Sequence, residues 1–251
     1  MCHGPPCVQY DDLWPDGPRF LRSGAGFALG TDSVLLADFA AHRRVRRFAD
    51  LGCGAGVLTV LLLHTLPQAT AVGVELQPDA AQLACGNIKA NGLNARAEIL
   101  CADLREHRTV LPAWGPLTSS WQTLRILPRG PGLYPLPDPP CARMRATSAP
   151  APCRISAPPW PISRAWGGSA ALVHRPERLS ELLCALTAAG LEPKRLRAVA
   201  HTADAAPSLV LVEARRGGKP GLNILPPLAL CAPDGTDSDE ICRIYHRRTQ
   251  P

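Results

Sequence analysis

One stretch constrains this chain more than any other: Phe48-Ala49-Asp50-Leu51, then Gly52-Cys53-Gly54-Ala55-Gly56, then an apolar run over 57–66. It reads as a short buried strand, a tight turn and a buried helix in direct succession. A turn without Cβ atoms lets backbone amides approach a ligand closely at a helix N-terminus, where unpaired N–H groups and the helix dipole favour acceptor groups. The alternation continues. Residues 71–75 form an apolar strand ending in the carboxylate Glu75, and 78–91 predict a helix opened by Pro78 and stopped by Asn91-Gly92. A third strand over 97–103 ends in another carboxylate, Asp103. Such alternation predicts an α/β fold, a doubly wound, mostly parallel sheet with its ligand at the carboxyl ends of the strands. Glu75, 19 positions after Gly56, is placed to accept hydrogen bonds from ribose hydroxyls, which implies a nucleoside-containing cofactor. A nicotinamide dinucleotide would call for glycine where Val57 stands, so an oxidoreductase of that kind is disfavoured.

Composition narrows the classes further. With 251 residues, 46% of them hydrophobic, the chain can bury one sizeable core. Its longest apolar run, over 57–63, is far short of the roughly 20 residues of a membrane helix, and no span is expected. The opening MCHGPPCVQYDD has neither a basic start nor an apolar stretch, so no secretory signal is expected and the cytoplasm is the expected compartment. Ten scattered cysteines without a Cys-x-x-Cys pair predict reduced thiols rather than a disulfide framework. Cys2, His3 and Cys7 have no second ligand pair nearby, and no metal is expected. A net charge of +6 allows a polyanionic partner without requiring one.

Taken together, DLGCGAG, the Glu75 strand end and the CAD at 101–103 resemble the cofactor half of a class I S-adenosylmethionine-dependent methyltransferase. The resemblance implies a Rossmann-like, mostly parallel sheet with an antiparallel C-terminal strand. It further implies that Asp50, Gly52, Gly54 and Gly56 belong to the loop that wraps S-adenosylmethionine, that Glu75 holds its ribose, and that Asp103 faces its adenine. The flanks FLRSGAGFALGTDSVLLADFA (20–40) and LVLVEARRGGKPGLNILPPLAL (209–230) are similar to the bacterial methyltransferases that modify the exocyclic amine of an adenine beside the anticodon of valine tRNA. This similarity covers 12–115 and 167–231. It implies a tRNA substrate, with Thr31 and Asp32 beside the cofactor; no obligate protein partner is inferred. Asp32 could equally be the N-cap of a helix over 33–41.

Amino-group methyltransferases of this kind carry Asn-Pro-Pro-Tyr at the end of the fourth strand, where acceptors hold the amine and an aromatic ring stacks on the flipped base. Here that place reads LTSSWQTLRI (117–126), and the chain nowhere reads NPPY, so no catalytic residue is assigned. The surrounding segment, 116–166, holds 12 of the 27 prolines, six arginines, no lysine and one acid, Asp138. A Pro-rich disordered insert fits that composition. So does a shift of reading frame. TTGACCTCGTCGTGGCAAACCCTCCGTATT encodes LTSSWQTLRI and, read two nucleotides later, Asp-Leu-Val-Val-Ala-Asn-Pro-Pro-Tyr. By the same offset PCRISAPPWPISRAW (152–166) yields Leu-Gln-Asp-Leu-Cys-Ala-Ala-Val-Ala-Tyr-Leu-Ser-Arg-Leu, an amphipathic helix. The segment therefore reads as out of frame between two compensating shifts. If the chain is as written, the fourth strand is lost and 116–166 is expected to be disordered or misfolded.

Beyond it, 170–173 predict the fifth strand, 176–189 a helix closed by Gly190, and 195–200 and 208–213 two further strands. Arg215, Arg216 and Lys219 fall in a basic glycine loop, open to two readings: contact with tRNA phosphates or a solvated hairpin loop. The run Arg43-Arg44-Val45-Arg46-Arg47 carries the same pair of readings. The expected domain is 12–231, followed by a loose polar tail over 232–251. Two functions follow: an active tRNA adenine N6-methyltransferase, or a cofactor- or RNA-binding remnant without transfer.

Overall fold

The computed structural model describes residues 10–21, 30–41, 45–104, 119–123 and 168–247, the span 119–123 by its backbone path. A short hairpin, β1 (Tyr10–Asp12) and β2 (Arg19–Leu21), leads to α1 (Thr31–Ala40). The expected alternation follows: β3 (Arg47–Leu51), α2 (Val57–Thr65), β4 (Thr70–Glu75), α3 (Pro78–Ala90) and β5 (Ala97–Cys101). Later come β6 (Ser119–Thr123), β7 (Ser169–His174), α4 (Leu179–Ala188), β8 (Leu191–Ala200), β9 (Pro207–Arg216), β10 (Asn223–Ile224), β11 (Leu228–Ala229) and α5 (Asp239–Ile244). The main sheet runs β10-β8-β9-β7-β6-β3-β4-β5, with β11 beside β8. Within it β9 is antiparallel to both β7 and β8, and the other pairings are parallel.

The period of two along each strand sorts side chains to two buried faces. On β7, Ala171 and Val173 join the cluster built with α1 and α2, while Ala170 and Leu172 pack with Leu182 and Leu186 of α4. On β3, Phe48 faces the first cluster, while Ala49 and Leu51 join Val72 and Val74 on the opposite face. Burying a Val, Leu or Phe side chain contributes about 1.5–3 kcal/mol, and 57–63, buried throughout, is apolar at every position but Thr59.

Several expectations are corrected. The first helix starts at Thr31, with Gly30 rather than Asp32 at its N-cap. Asp32 lies in the first turn and accepts from Ser33 N (2.9 Å), a place the helix dipole favours for an acid. The third strand stops at Cys101, which leaves Asp103 two residues beyond it. The predicted helix over 176–189 opens as a 3-10 turn, Pro176–Arg178, before α4.

The fourth strand position is not lost. Residues Ser119–Thr123 fill it, pairing in parallel with β3 on one side and β7 on the other. Ladder hydrogen bonds use backbone groups, so these five residues can pair with both neighbours without the expected motif. The rest of 116–166 lies outside the described residues, as do Cys2, His3, Cys7, Arg43 and Arg44.

The tail is also corrected, because it is not loose through 247. Ser238 caps α5 by accepting from Ile241 N, and Ile241 and Ile244 enter the main core. Arg197 grips the Glu240 carboxylate with two bonds of 2.7 Å, and Arg243 grips Asp38 of α1 at 2.9 and 3.1 Å. Two isoleucines among polar residues carry too weak a period to be read as a helix that docks. Among the described residues no helix is long and apolar enough to cross a membrane, and the six described cysteines are free.

Candidate cofactor-binding site

The glycine turn leaves β3 at its carboxyl end and is held from three sides. From the neighbouring strand, Val74 O accepts from Gly52 N (2.8 Å) and Cys53 N (3.0 Å). From below, Asp50 receives the Thr59 hydroxyl at 2.7 Å, which ties β3 to the first turn of α2. From the side, Glu75 accepts from Gly54 N through Oε2 and from Gln77 N through Oε1, each at 2.9 Å. The predicted ribose carboxylate is thus part of the turn itself. Each oxygen accepts one amide and retains a further lone pair.

The glycines divide by task. Gly52 and Gly54 have φ of +75 and +53, and a Cβ on either would meet nothing within 4 Å, so the turn borders open space there. At Gly56 the added carbon would lie 3.2 Å from the Ala84 Cβ, so this glycine lets α3 approach the turn.

Burial pushes the Asp50 carboxyl up to about 7, with Thr59 opposing the shift and the Glu75 charge adding to it. Its Oδ1 has no hydrogen-bond partner among the described residues. Burial, then the Asp50 and Glu75 charges, pushes the Cys53 thiol well above its ordinary range, which keeps it neutral and unreactive.

Asp103 reaches the same end of the sheet, because Ala102 N donates to Glu75 O at 2.9 Å. Thr31 opens α1. Arg215 and Arg216 are not in a loop: they are the last two residues of β9. Arg215 is level with Ser169, at the amino end of β7, so these cations and Lys219 lie away from the glycine turn, at the opposite end of the sheet.

Sequence reading missed Asn87. Its amide donates to Ala55 O in the glycine turn (2.8 Å), and its carbonyl accepts from Leu21 N (2.7 Å), so one buried side chain joins turn, α3 and hairpin. A poor helix former beside the apolar Ile88 in mid-helix was the available signal.

Comparison with known proteins agrees with this geometry. Residues 23–110 match the family described as the methyltransferase small domain. The fold is that of methyltransferases. A structure from Agrobacterium tumefaciens titled a "predicted O-methyltransferase" superposes with a TM-score of 0.64 at 19% identity, covering 87% of this chain and 97% of its own. The precorrin-6y C5,15-methyltransferase of Geobacter metallireducens superposes at 0.51 with 11% identity, covering 77% of this chain and 96% of its own. Among curated proteins, the chain is 37% identical over 79 residues to the tRNA1(Val) (adenine(37)-N6)-methyltransferase of Yersinia pestis. That match covers 31% of this chain, and the chain spans about a third of the relative's length (32%).

Proposed function

We propose that this chain is an S-adenosylmethionine-dependent methyltransferase that acts in the cytoplasm on the exocyclic amine of an adenine in tRNA. One observation carries the reading: a positive-φ glycine turn, open to space at Gly52 and Gly54, with the Glu75 carboxylate built into its rim. That arrangement fits the cofactor. The open side admits its methionine portion against backbone amides, and the spare lone pairs of Glu75 accept ribose hydroxyls, with Asp103 beside them for the adenine amine. When bound, the cofactor supplies an electrophilic methyl group. The residues of this chain hold and orient it, and orientation is worth more here than a strong base. The tRNA half of the proposal rests on the flanking similarity and the partial match to the Yersinia pestis enzyme.

The test is calorimetric titration with S-adenosylmethionine and, separately, with a nicotinamide dinucleotide. Binding of the first and not the second is the expected result, and binding of neither would refute the proposal. A second reading, a binder without transfer, is favoured by the absence of Asn-Pro-Pro-Tyr. It is decided by sequencing the coding DNA across codons 112–168 and assaying methyl transfer to tRNA. A corrected frame that restores the motif predicts transfer. DNA that stands as translated predicts cofactor binding alone.

A further inference from the structure

We infer that the amino end of the sheet, at Lys194, Arg215 and Lys219, is a docking surface for the phosphate backbone of the RNA, so that the substrate must be long enough to reach from there to the glycine turn. The inference rests on the RNA reading above and adds where the polyanion is held. Arg215 and Arg216 end β9 beside the first residue of β7, and Arg216 N donates to Gly168 O at 2.9 Å. Arg215, Arg216 and Lys219 are exposed. The segment is pinned rather than loose: Gly218 N donates to Arg215 O (3.3 Å) and the Lys194 ammonium to Lys219 O (2.9 Å). Glu192 is the acid there, level with Arg215. Arg46 and Arg47 enter β3 at this same end, three strands away.

Around the glycine turn, at the opposite end, the chemistry is reversed. Glu75, Asp79 in the first turn of α3, and Asp103 gather around the glycine turn. Carboxylates suit hydroxyls and amines but repel phosphates, so cations away from the turn are the groups that attract a nucleic-acid backbone. Guanidinium forks and ammonium groups supply it without reading sequence. The six residues of β7 rise roughly 20 Å at about 3.3 Å each, and three strand spacings of about 4.8 Å separate β9 from β3. The separation between the two ends of the path is therefore about 25 Å. A mononucleotide or very short strand cannot cover that distance, whereas a folded tRNA can.

The test measures binding of a tRNA transcript and of a short adenine-containing oligonucleotide across a potassium chloride series, by fluorescence anisotropy. It compares the natural chain with the double variant Arg215→Ala, Lys219→Ala. The expected result for tRNA is a log–log salt slope smaller by roughly 1.5 and an affinity about tenfold lower near physiological salt. The oligonucleotide should bind both proteins alike, with unchanged melting temperature and cofactor affinity. Equal tRNA slopes for the two proteins would overturn the inference while leaving the RNA reading intact. A natural chain that binds the cofactor but no tRNA would overturn both. Loss of binding to anionic vesicles, with tRNA binding unchanged, would assign the surface to a membrane and overturn it as well.

Discussion

Around the glycine turn, at the carboxyl end of the sheet, the groups presented are glycine amides and carboxylates, with one carboxyl, Asp50, fully buried. At the amino end they are guanidinium and ammonium groups, with Arg215, Arg216 and Lys219 on exposed positions. The first set is held by short bonds among its own members, so a change there disturbs the turn as well as any ligand. In the second set Arg215 and Lys219 are exposed, and their side chains can change with little effect on the fold. On the proposed reading, binding precision and polyanion attraction are separated along one strand length. Acceptor groups close enough to grip a ribose would repel a phosphate, and the sheet keeps the two sets of groups apart.

The largest expected effect tests the buried carboxyl. Folded Asp50 keeps its proton to about 7, whereas an ordinary aspartate releases it near 3.8. Between those values the folded state binds more protons, so this group's contribution to stability is full below the lower value and falls as pH rises to the upper one. Three pKa units correspond to roughly 4 kcal/mol. Asp50→Asn should remove that slope, measured as the difference between the two proteins in urea unfolding from acid to neutral pH. Parallel curves would show that Asp50 ionises normally.

Next comes Glu75→Ala, which strips the acceptor from Gly54 N and Gln77 N. Cofactor affinity should fall by about a hundredfold or more, roughly 3 kcal/mol, and calorimetry reads it directly. An unchanged affinity would remove Glu75 from the site. A smaller effect separates the glycines. Gly56→Ala should cost about 1–2 kcal/mol of stability through its positive φ and the approach to Ala84, seen in thermal unfolding. Gly54→Ala should weaken cofactor binding more than Gly56→Ala does; the reverse order would place the ligand on the α3 side. The smallest effect belongs to the amino end, where Arg215→Ala alone should alter stability by less than about 0.5 kcal/mol.

How much was legible differs by residue. Asp50, the glycines and Glu75 could be read because turn chemistry and strand ends are local: a glycine cluster after an apolar run leaves few geometries. Asn87 could not, because its role depends on Ala55 and Leu21 arriving from distant parts of the chain. Nor could α5, whose docking joins Arg243 to Asp38 across 205 positions.

By itself, then, the sequence determined the alternation of strand and helix, the turn after β3 and the carboxylate at the end of β4, since periodicity and backbone sterics act over a few residues. Tertiary structure alone decided that Ser119–Thr123 occupies the slot between β3 and β7, since backbone groups make the ladder without the expected motif. It also decided that Arg215 stands at the end of the sheet opposite the glycine turn. The direction of β9 set that placement, and strand direction is a property of the whole sheet that no local stretch of residues encodes.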